Sequence, residues 1–353
     1  MSARTWPDLI TRLIRRQDLG SDDVGWAMEE ILNGLASPVH VAAFAVALRA
    51  KGETVEELSG MADGLLEMAR PIALDREAVD VVGSGGDRAN TVNISTMAAI
   101  VAAATGARVV KHGNRAASSA CGTADVLEQV GVVLDLPPEA QQSVMDEAGL
   151  VFLFAPRYHS SLRHAAGVRR ELGVSTFFNF LGPMANPARP MAQAIGVADE
   201  RMAALMAGVI AGRGARGLIF HGGDGLDELT TTTTSRVWVI RDGQVGETAL
   251  DPQELGIARA KVSDLVGGPP ETNAWVLRET FDGRQGAVHD IVALNAAAAL
   301  LAYEGPDPDA DLVGQLGPRV ERAREALTDG SAGAKLDQWV SATRRARGSA
   351  QQR

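Results

Sequence analysis

The sequence predicts a small N-terminal helical domain followed by a larger α/β domain whose mostly parallel central sheet is flanked by helices. Three observations lead there. No strand-like run occurs before Ala78. From Ala78 onward, short apolar strands alternate with helical segments, the pattern of a largely parallel sheet. Of the 353 residues, 46% are hydrophobic, enough to bury a sizeable core and to exclude global disorder.

The helical part is expected over residues 1–75, joined in space by helices around 160–190. Ser37-Pro38 reads as an N-cap with Pro at the first helical position. Val41, Phe44, Ala45 and Leu48 then fall on one face. Thr54 and Glu57 form a capping-box pair that opens the next helix. Residues 76–345 are expected to form the α/β domain. Its strands are predicted at 79–82, 107–110, 132–134, 150–154, 192–197 and 217–221. Helices are predicted at 95–105, 124–130, 138–148, 160–172 and 200–213. The run 236–240 before Asp242-Gly243 reads as a strand entering a hairpin turn. The Ala-rich segment 288–303 reads as a buried helix. After Thr343 the composition turns polar and basic, so 346–353 is expected to be a flexible tail.

The formal net charge of −10 argues against nucleic-acid binding, which wants a basic face. It leaves room for small anionic ligands held by a few local cations. Cys121 is the only cysteine, so no internal disulfide can form, and a reducing cytoplasm fits best. Residues 1–14 alternate Arg with apolar residues around no long apolar core, so no signal peptide is expected. The apolar runs read as too short for a membrane span.

Four segments carry the chemistry. In VDVVGSGGDRANTVNIST (79–96) a buried strand runs into glycines, and a helix begins near Asn93-Ile94-Ser95-Thr96. Such glycines let a ligand approach the backbone, and the helix N-terminus offers N–H groups to an anion. The plainer reading is a tight strand-to-helix turn; the spacing matches neither the dinucleotide fingerprint nor the P-loop. In VVKHGNRAASSACG (109–122) a second strand ends in Lys111, His112, Asn114 and Arg115, then Ser118 and Ser119. Ligands of parallel sheets sit at the carboxyl ends of strands, where both loops lie. Three basic side chains there imply an anionic ligand. LIFHGGDGLDELTT (218–231) adds Asp224 and the adjacent Asp227-Glu228, hard oxygens suited to magnesium. Nothing supplies zinc ligands. In the segment 154–187, Arg157, Arg163, Arg169 and Arg170 accompany His159 and His164. An Arg can clamp a carboxylate with two hydrogen bonds, although Arg163 and Arg170 read as solvent-facing. Phe177-Phe178-Asn179 reads as core, Thr230–234 as the start of a strand, and Cys121 as a residue without a nucleophile's partners.

Together these segments resemble the anthranilate phosphoribosyltransferase family. The matching pieces are GSGGD (83–87), NIST (93–96), KHGNRAASS (111–119), GTADVLEQVG (122–131), VRRELG (168–173), FNFLGPMANP (178–187), DGLDE (224–228) and VHDIVALNAAAAL (288–300). They cover nearly the whole chain in order. Ser84 stands where the family more often has Thr, and Gly167 where Pro is frequent.

The resemblance implies a fold of the nucleoside phosphorylase/phosphoribosyltransferase type and a homodimer formed through the helical part. It implies transfer of the phosphoribosyl group of 5-phosphoribosyl 1-pyrophosphate to the amino group of anthranilate, an early step of tryptophan biosynthesis, with magnesium. By position, the donor would be held by Gly83, Gly86, Asp87, Thr91, Asn93, Ile94, Ser95, Thr96 and Thr123. The loop Lys111, His112, Gly113, Asn114, Arg115, Ala116, Ala117, Ser118 and Ser119 would complete that site. Gly83, Asn114, His159 and Arg169 would take anthranilate, with Arg169 facing its carboxylate. Ser95, Asp227 and Glu228 would coordinate the metal. Lys111, His112 and Arg169 would act by charge and positioning, with no covalent intermediate. A pyrimidine nucleoside phosphorylase is the nearest alternative, but KHGNR with the adjacent acids favours a pyrophosphate donor. A non-catalytic nucleic-acid-binding relative would have lost those loops and gained a basic groove.

Overall fold

The computed structural model describes residues 4–116 and 120–351. Four helices come first: α1 (Trp6–Ile14), α2 (Ser21–Leu32), α3 (Pro38–Lys51) and α4 (Val55–Glu67). Ser37 caps α3, whose Val41, Phe44, Ala45 and Leu48 are buried as the spacing predicts. Thr54 and Glu57 make the capping box of α4. Glu57 is itself buried and also accepts from the Leu19 amide at 2.8 Å and Lys51 Nζ at 2.8 Å. One carboxylate therefore ties three parts of the bundle together, and its partners offset the cost of burying it.

The α/β part runs β1 (Val79–Gly83), α5 (Ile94–Ala104), β2 (Val109–Gly113), α6 (Thr123–Val130), α7 (Pro138–Ala148), β3 (Leu150–Phe154), α8 (Ala155–Tyr158), α9 (Arg163–Leu172), α10 (Phe178–Met184), β4 (Ala192–Gly196), α11 (Glu200–Gly212), β5 (Arg216–Gly222), β6 (Ser235–Arg241), β7 (Gln244–Leu250), α12 (Pro270–Phe281), α13 (Ala287–Glu304), α14 (Leu312–Thr328) and α15 (Ser331–Gln351). The described strands form one sheet in the order β3-β2-β1-β4-β5-β6-β7. The first five are parallel; β6 and β7 are antiparallel, joined by the expected hairpin at Asp242-Gly243. From β1 the chain builds outward to β3, then returns to place β4 on the other side of β1. The carboxyl ends of β1 and β4 thus flank a topological switch point, where open parallel sheets bind ligands.

Two apolar clusters hold the fold. One surrounds α5 and α13 on one side of the sheet. The other combines α1–α4 with Ala165 and Val168 of α9, with Phe177, and with Phe178, Phe180, Leu181 and Met184 of α10. Phe177 and Phe178 are core, as their sequence suggests.

Three expectations need correction. Residues 132–134 are not a strand: Val132 and Leu134 are buried, but they line the connection between α6 and α7. The basic C-terminal stretch is not frayed, because α15 continues to Gln351. Its Trp339, Val340, Thr343 and Ala346 face the core, and Thr343 Oγ1 accepts from the Val133 amide at 3.2 Å. Finally, α13 is long and apolar enough to cross a membrane by length and composition. Of its residues, 72% are buried, packed among α5, α14 and the sheet, which accounts for its composition as core.

Candidate active site

Glycine makes the site possible at the switch point. Gly83 ends β1, Gly196 ends β4, and the two lie opposite each other in the ladder. The chain after β5 folds over both. A Cβ on Gly196 would sit 1.7 Å from the Asp227 carbonyl oxygen, and one on Gly83 would sit 2.3 Å from Asp227 Oδ2. Gly85 and Gly86 adopt φ of 68° and 90°, open only to glycine at low cost. This turn aims the Gly85 N–H at Asp227 Oδ2, 2.6 Å away.

The loop over these glycines is pinned from both ends. Asp224 caps the Leu226 amide and accepts from the hydroxyls of Thr230 and Thr232. Buried Asn295 on α13 accepts from the Leu229 N–H at 3.0 Å and donates to its C=O at 2.9 Å. Asp227 and Glu228 are therefore held where their charges crowd. Desolvation, with Asp87 next to it, pushes the Asp227 carboxyl up to about 7. Burial and Asp227 raise Glu228 well above the usual carboxylate range.

Lys111 faces this pair. It is fully buried at the end of β2, and its Nζ donates to the Val81 carbonyl and, at 3.3 Å, to Ser95 Oγ. Burial lowers its ammonium to about 8, while Asp80, Glu228 and Asp227 oppose the fall. Ser95 lies in the first turn of α5, beside Asn93 and Thr96. Asn93 Nδ2 donates to the Cys121 carbonyl at 3.1 Å and its Oδ1 accepts from Asn273 at 2.9 Å; Thr96 Oγ1 lies 3.3 Å from Thr123 Oγ1. Thr91 bridges Val266. These contacts bring Gly83, Gly85, Asp87, Ser95, Lys111, Asp227 and Glu228 into one constellation.

The expectation of three cations at the end of β2 is corrected. His112 is buried, and desolvation, with His159 next, lowers it to about 3, so it is neutral. Arg115 turns outward to Asp125 at 2.9 Å and Glu128 at 2.6 Å on α6. Asn114 is exposed, and its Oδ1 accepts from the Arg115 amide. Gly113 and Ala116 lie beside them, the Ala116 amide donating to Asp125. Ala117, Ser118 and Ser119 lie outside the described residues.

A second, less polar group adjoins the first. The rings of His112 and His159 meet edge to face with centroids 5.1 Å apart. His159 Nε2 contacts the Ala185 carbonyl at 2.7 Å, and burial keeps this ring neutral too. His112 Nε2 and His159 Nδ1 are buried, and among the described residues neither has a hydrogen-bond partner. Arg169 stacks over Phe178 at 5.5 Å, and desolvation lowers its guanidinium. Among the described residues no carboxylate pairs with it, whereas Arg157 pairs with Asp135. Arg163 and Arg170 are exposed, in keeping with their reading as solvent-facing, and His164 is exposed as well.

Sequence reasoning missed Asp80, Asn186, Gly196 and Asn295. The signal was present for Asp80, a carboxylate inside the apolar strand VDVV, and for Gly196, which ends a strand just as Gly83 does.

A magnesium ion fits these residues. Asp227 and Glu228, adjacent and raised in proton affinity, carry more negative charge than the one Lys111 ammonium facing them balances. Among the described residues no group of three or more His, Cys, Asp or Glu side chains converges as a metal cage. Magnesium needs none, since it is held by one or two carboxylates plus water and substrate phosphates.

A helical bundle set against a mostly parallel sheet, with glycines and acids at the switch point, defines the class. The helical bundle domain of the glycosyl transferase family matches residues 7–69, and the family's a/b domain matches 75–333. The anthranilate phosphoribosyltransferase of Thermobifida fusca (strain YX) is 57% identical over 340 residues, 96% of this chain and 97% of the relative. That of Nocardioides sp. is 55% identical over 97% of this chain and 99% of the relative. The crystal structure of the Thermus thermophilus enzyme superposes with a TM-score of 0.87 at 41% identity, covering 96% of this chain and 99% of that one. The Saccharomyces cerevisiae enzyme, solved in complex with PRPP and Mg, gives 0.85 at 25% identity, covering 96% and 98%. The chain belongs to the glycosyl transferase family and, within it, to the anthranilate phosphoribosyltransferases.

Proposed function

We propose that this chain transfers the phosphoribosyl group of 5-phosphoribosyl 1-pyrophosphate to anthranilate at the constellation around Lys111, as a step of tryptophan biosynthesis. The observation that carries the assignment of roles is the opposition of Lys111 to Asp227 and Glu228 beside a helix N-terminus. Gly83, Gly86, Asp87, Thr91, Asn93, Ile94, Ser95, Thr96, Thr123 and the chain 111–119, with the Arg115 side chain turned away to α6, hold the donor. Ser95, Asp227 and Glu228 hold magnesium, which neutralises charge on the pyrophosphate when bound.

The reaction breaks the bond from the anomeric carbon to pyrophosphate, and that electron pair leaves on oxygen. The anthranilate nitrogen forms the new bond with its own lone pair, then releases a proton. Prearranged donors aimed at the leaving group are the largest stabilisation available to the chain. The Lys111 ammonium and the amides opening α5 supply it. Neutral His112 and His159 line the approach of the amine, where positioning outweighs proton abstraction. Gly83, Asn114 and Arg169 orient anthranilate, Arg169 taking its carboxylate.

Two results follow. Arg169→Lys is expected to raise the anthranilate KM about tenfold or more, because one fork becomes a point charge. The donor KM should stay within about twofold. An unchanged anthranilate KM in folded variant would remove Arg169 from the site. Lys111, lowered to about 8, carries its charge below that pH and loses it above. The donor KM should therefore be lowest at about pH 7.5, rise above about pH 8 as Lys111 loses its charge, and rise below about pH 7 as Asp227 takes up a proton; a flat profile to about pH 9.5 would contradict the Lys111 role.

The helical part supports a homodimer. Ile14 of α1 and Val39 of α3 are 71% and 74% exposed, and Leu35 between α2 and α3 is 68% exposed. A division near residue 75 and a cytoplasmic location complete the reading. The single cysteine supports that location, its thiol being pushed up to about 11 by burial.

A further inference from the structure

The sheet comes apart beside the site. β1 pairs with β4, and β2 with β3, over five positions each, but β1 and β2 pair regularly only at Val79 and Val109. The next rung of a parallel ladder would pair the Val81 N–H with the Val110 C=O and the His112 N–H with the Val81 C=O. Side chains take both carbonyls and the His112 N–H. Asn186 Nδ2 donates to the Val110 C=O at 2.8 Å, and Lys111 Nζ donates to the Val81 C=O. Asp80 Oδ1 accepts the His112 N–H at 3.2 Å, and its Oδ2 accepts from Asn186 Nδ2 at 2.8 Å. Asp80, Lys111, His112 and Asn186 are all buried. Asn186 is fixed in turn, its Oδ1 accepting from the Ala188 amide at 3.0 Å.

We propose that Asp80 and Asn186 are positioning residues, a buried wedge that holds β1 and β2 apart so that Lys111 and His112 stand at the site. This rests on the reading that Lys111 meets the phosphoribosyl donor. A closed ladder would pair the His112 N–H with the Val81 C=O and displace Lys111 Nζ from its anchor. Burying a carboxylate is costly: Asp80 is raised to about 6 by desolvation, against the pull of Asn186 and Lys111. A sheet that needed only stability would do better with an apolar residue and the ordinary rung.

The test compares Asp80→Asn, Asn186→Ser and Lys111→Met. In Asp80→Asn one of the two acceptor oxygens becomes an NH2 donor, so either the Asn186 Nδ2 or the His112 N–H is left facing a donor and the wedge breaks. Expected for each wedge variant is a donor KM raised about tenfold or more together with a lowered kcat, both in the direction of Lys111→Met because Lys111 also meets the leaving group, and loss of protection of the His112 amide in hydrogen exchange. Unchanged donor KM in a folded wedge variant, while Lys111→Met raises it, would overturn the wedge. Unchanged donor KM in Lys111→Met would overturn the reading of the donor site instead. If Asp80→Asn does not fold, the milder Asn186→Ser decides by the same measurements.

Discussion

An Asp227→Ala, Glu228→Ala variant is expected to lose about a thousandfold or more in kcat and yet remain folded. The two halves have one cause. Both carboxylates are held against their own desolvation and against each other, which is why their proton affinities are raised. Such groups cost stability rather than supply it, so removing them should relieve strain at the switch point. The hydrogen bond from the Gly85 N–H to Asp227 Oδ2 disappears with the carboxylate, and water can replace it at that exposed turn. A melting temperature within a few degrees of the parent, or above it, is the expected companion of the lost activity. Calorimetry with magnesium and donor should show their joint binding abolished. A variant that keeps kcat within about tenfold would place the metal elsewhere.

Gly196→Ala is expected to be a severely damaging single methyl. The added Cβ would meet the Asp227 carbonyl oxygen at 1.7 Å, its carbon at 2.3 Å and the Glu228 nitrogen at 3.0 Å. All three are backbone atoms, and the loop is clamped by Asn295 and Asp224, so no side-chain rotation relieves the clash. Destabilisation of about 3 kcal/mol or more is expected in denaturant unfolding, with the loop and its acids displaced. Gly25→Ala, inside α2 with nothing within 4 Å, serves as the control and should be neutral or slightly stabilising. Equal unfolding midpoints for the two variants would show that the loop does not rest on Gly196.

Much of this was legible in the sequence, and what was not has physical causes. The strands β1, β3, β4, β5 and β6 are short apolar runs followed by glycine or polar breaks, and such runs declare themselves. Residues 132–134 mislead because three apolar residues look alike in a strand and in a buried connection. The C-terminal helix was obscured by its arginines: Arg345 pairs with Glu147, while Trp339, Thr343 and Ala346 repeat at helical spacing on the inner face. The glycine loop, the Lys111 loop and the acidic pair could be read because their residue types are improbable together without a ligand. The charge state of that loop could not. Whether His112 is a cation depends on burial and on His159, and whether Arg115 faces the donor depends on acids on α6. Asn186 and Asn295 were invisible for a related reason, since their work is done on backbone groups distant in sequence.

The most direct test of the central claim is the fluorescence of anthranilate, followed as the protein, 5-phosphoribosyl 1-pyrophosphate and magnesium are combined and each is left out in turn. The account predicts a signal that falls with time only when all three are present, with one pyrophosphate released per anthranilate consumed. A steady signal from folded protein with every component present, or phosphorolysis of a pyrimidine nucleoside in its place, would contradict it.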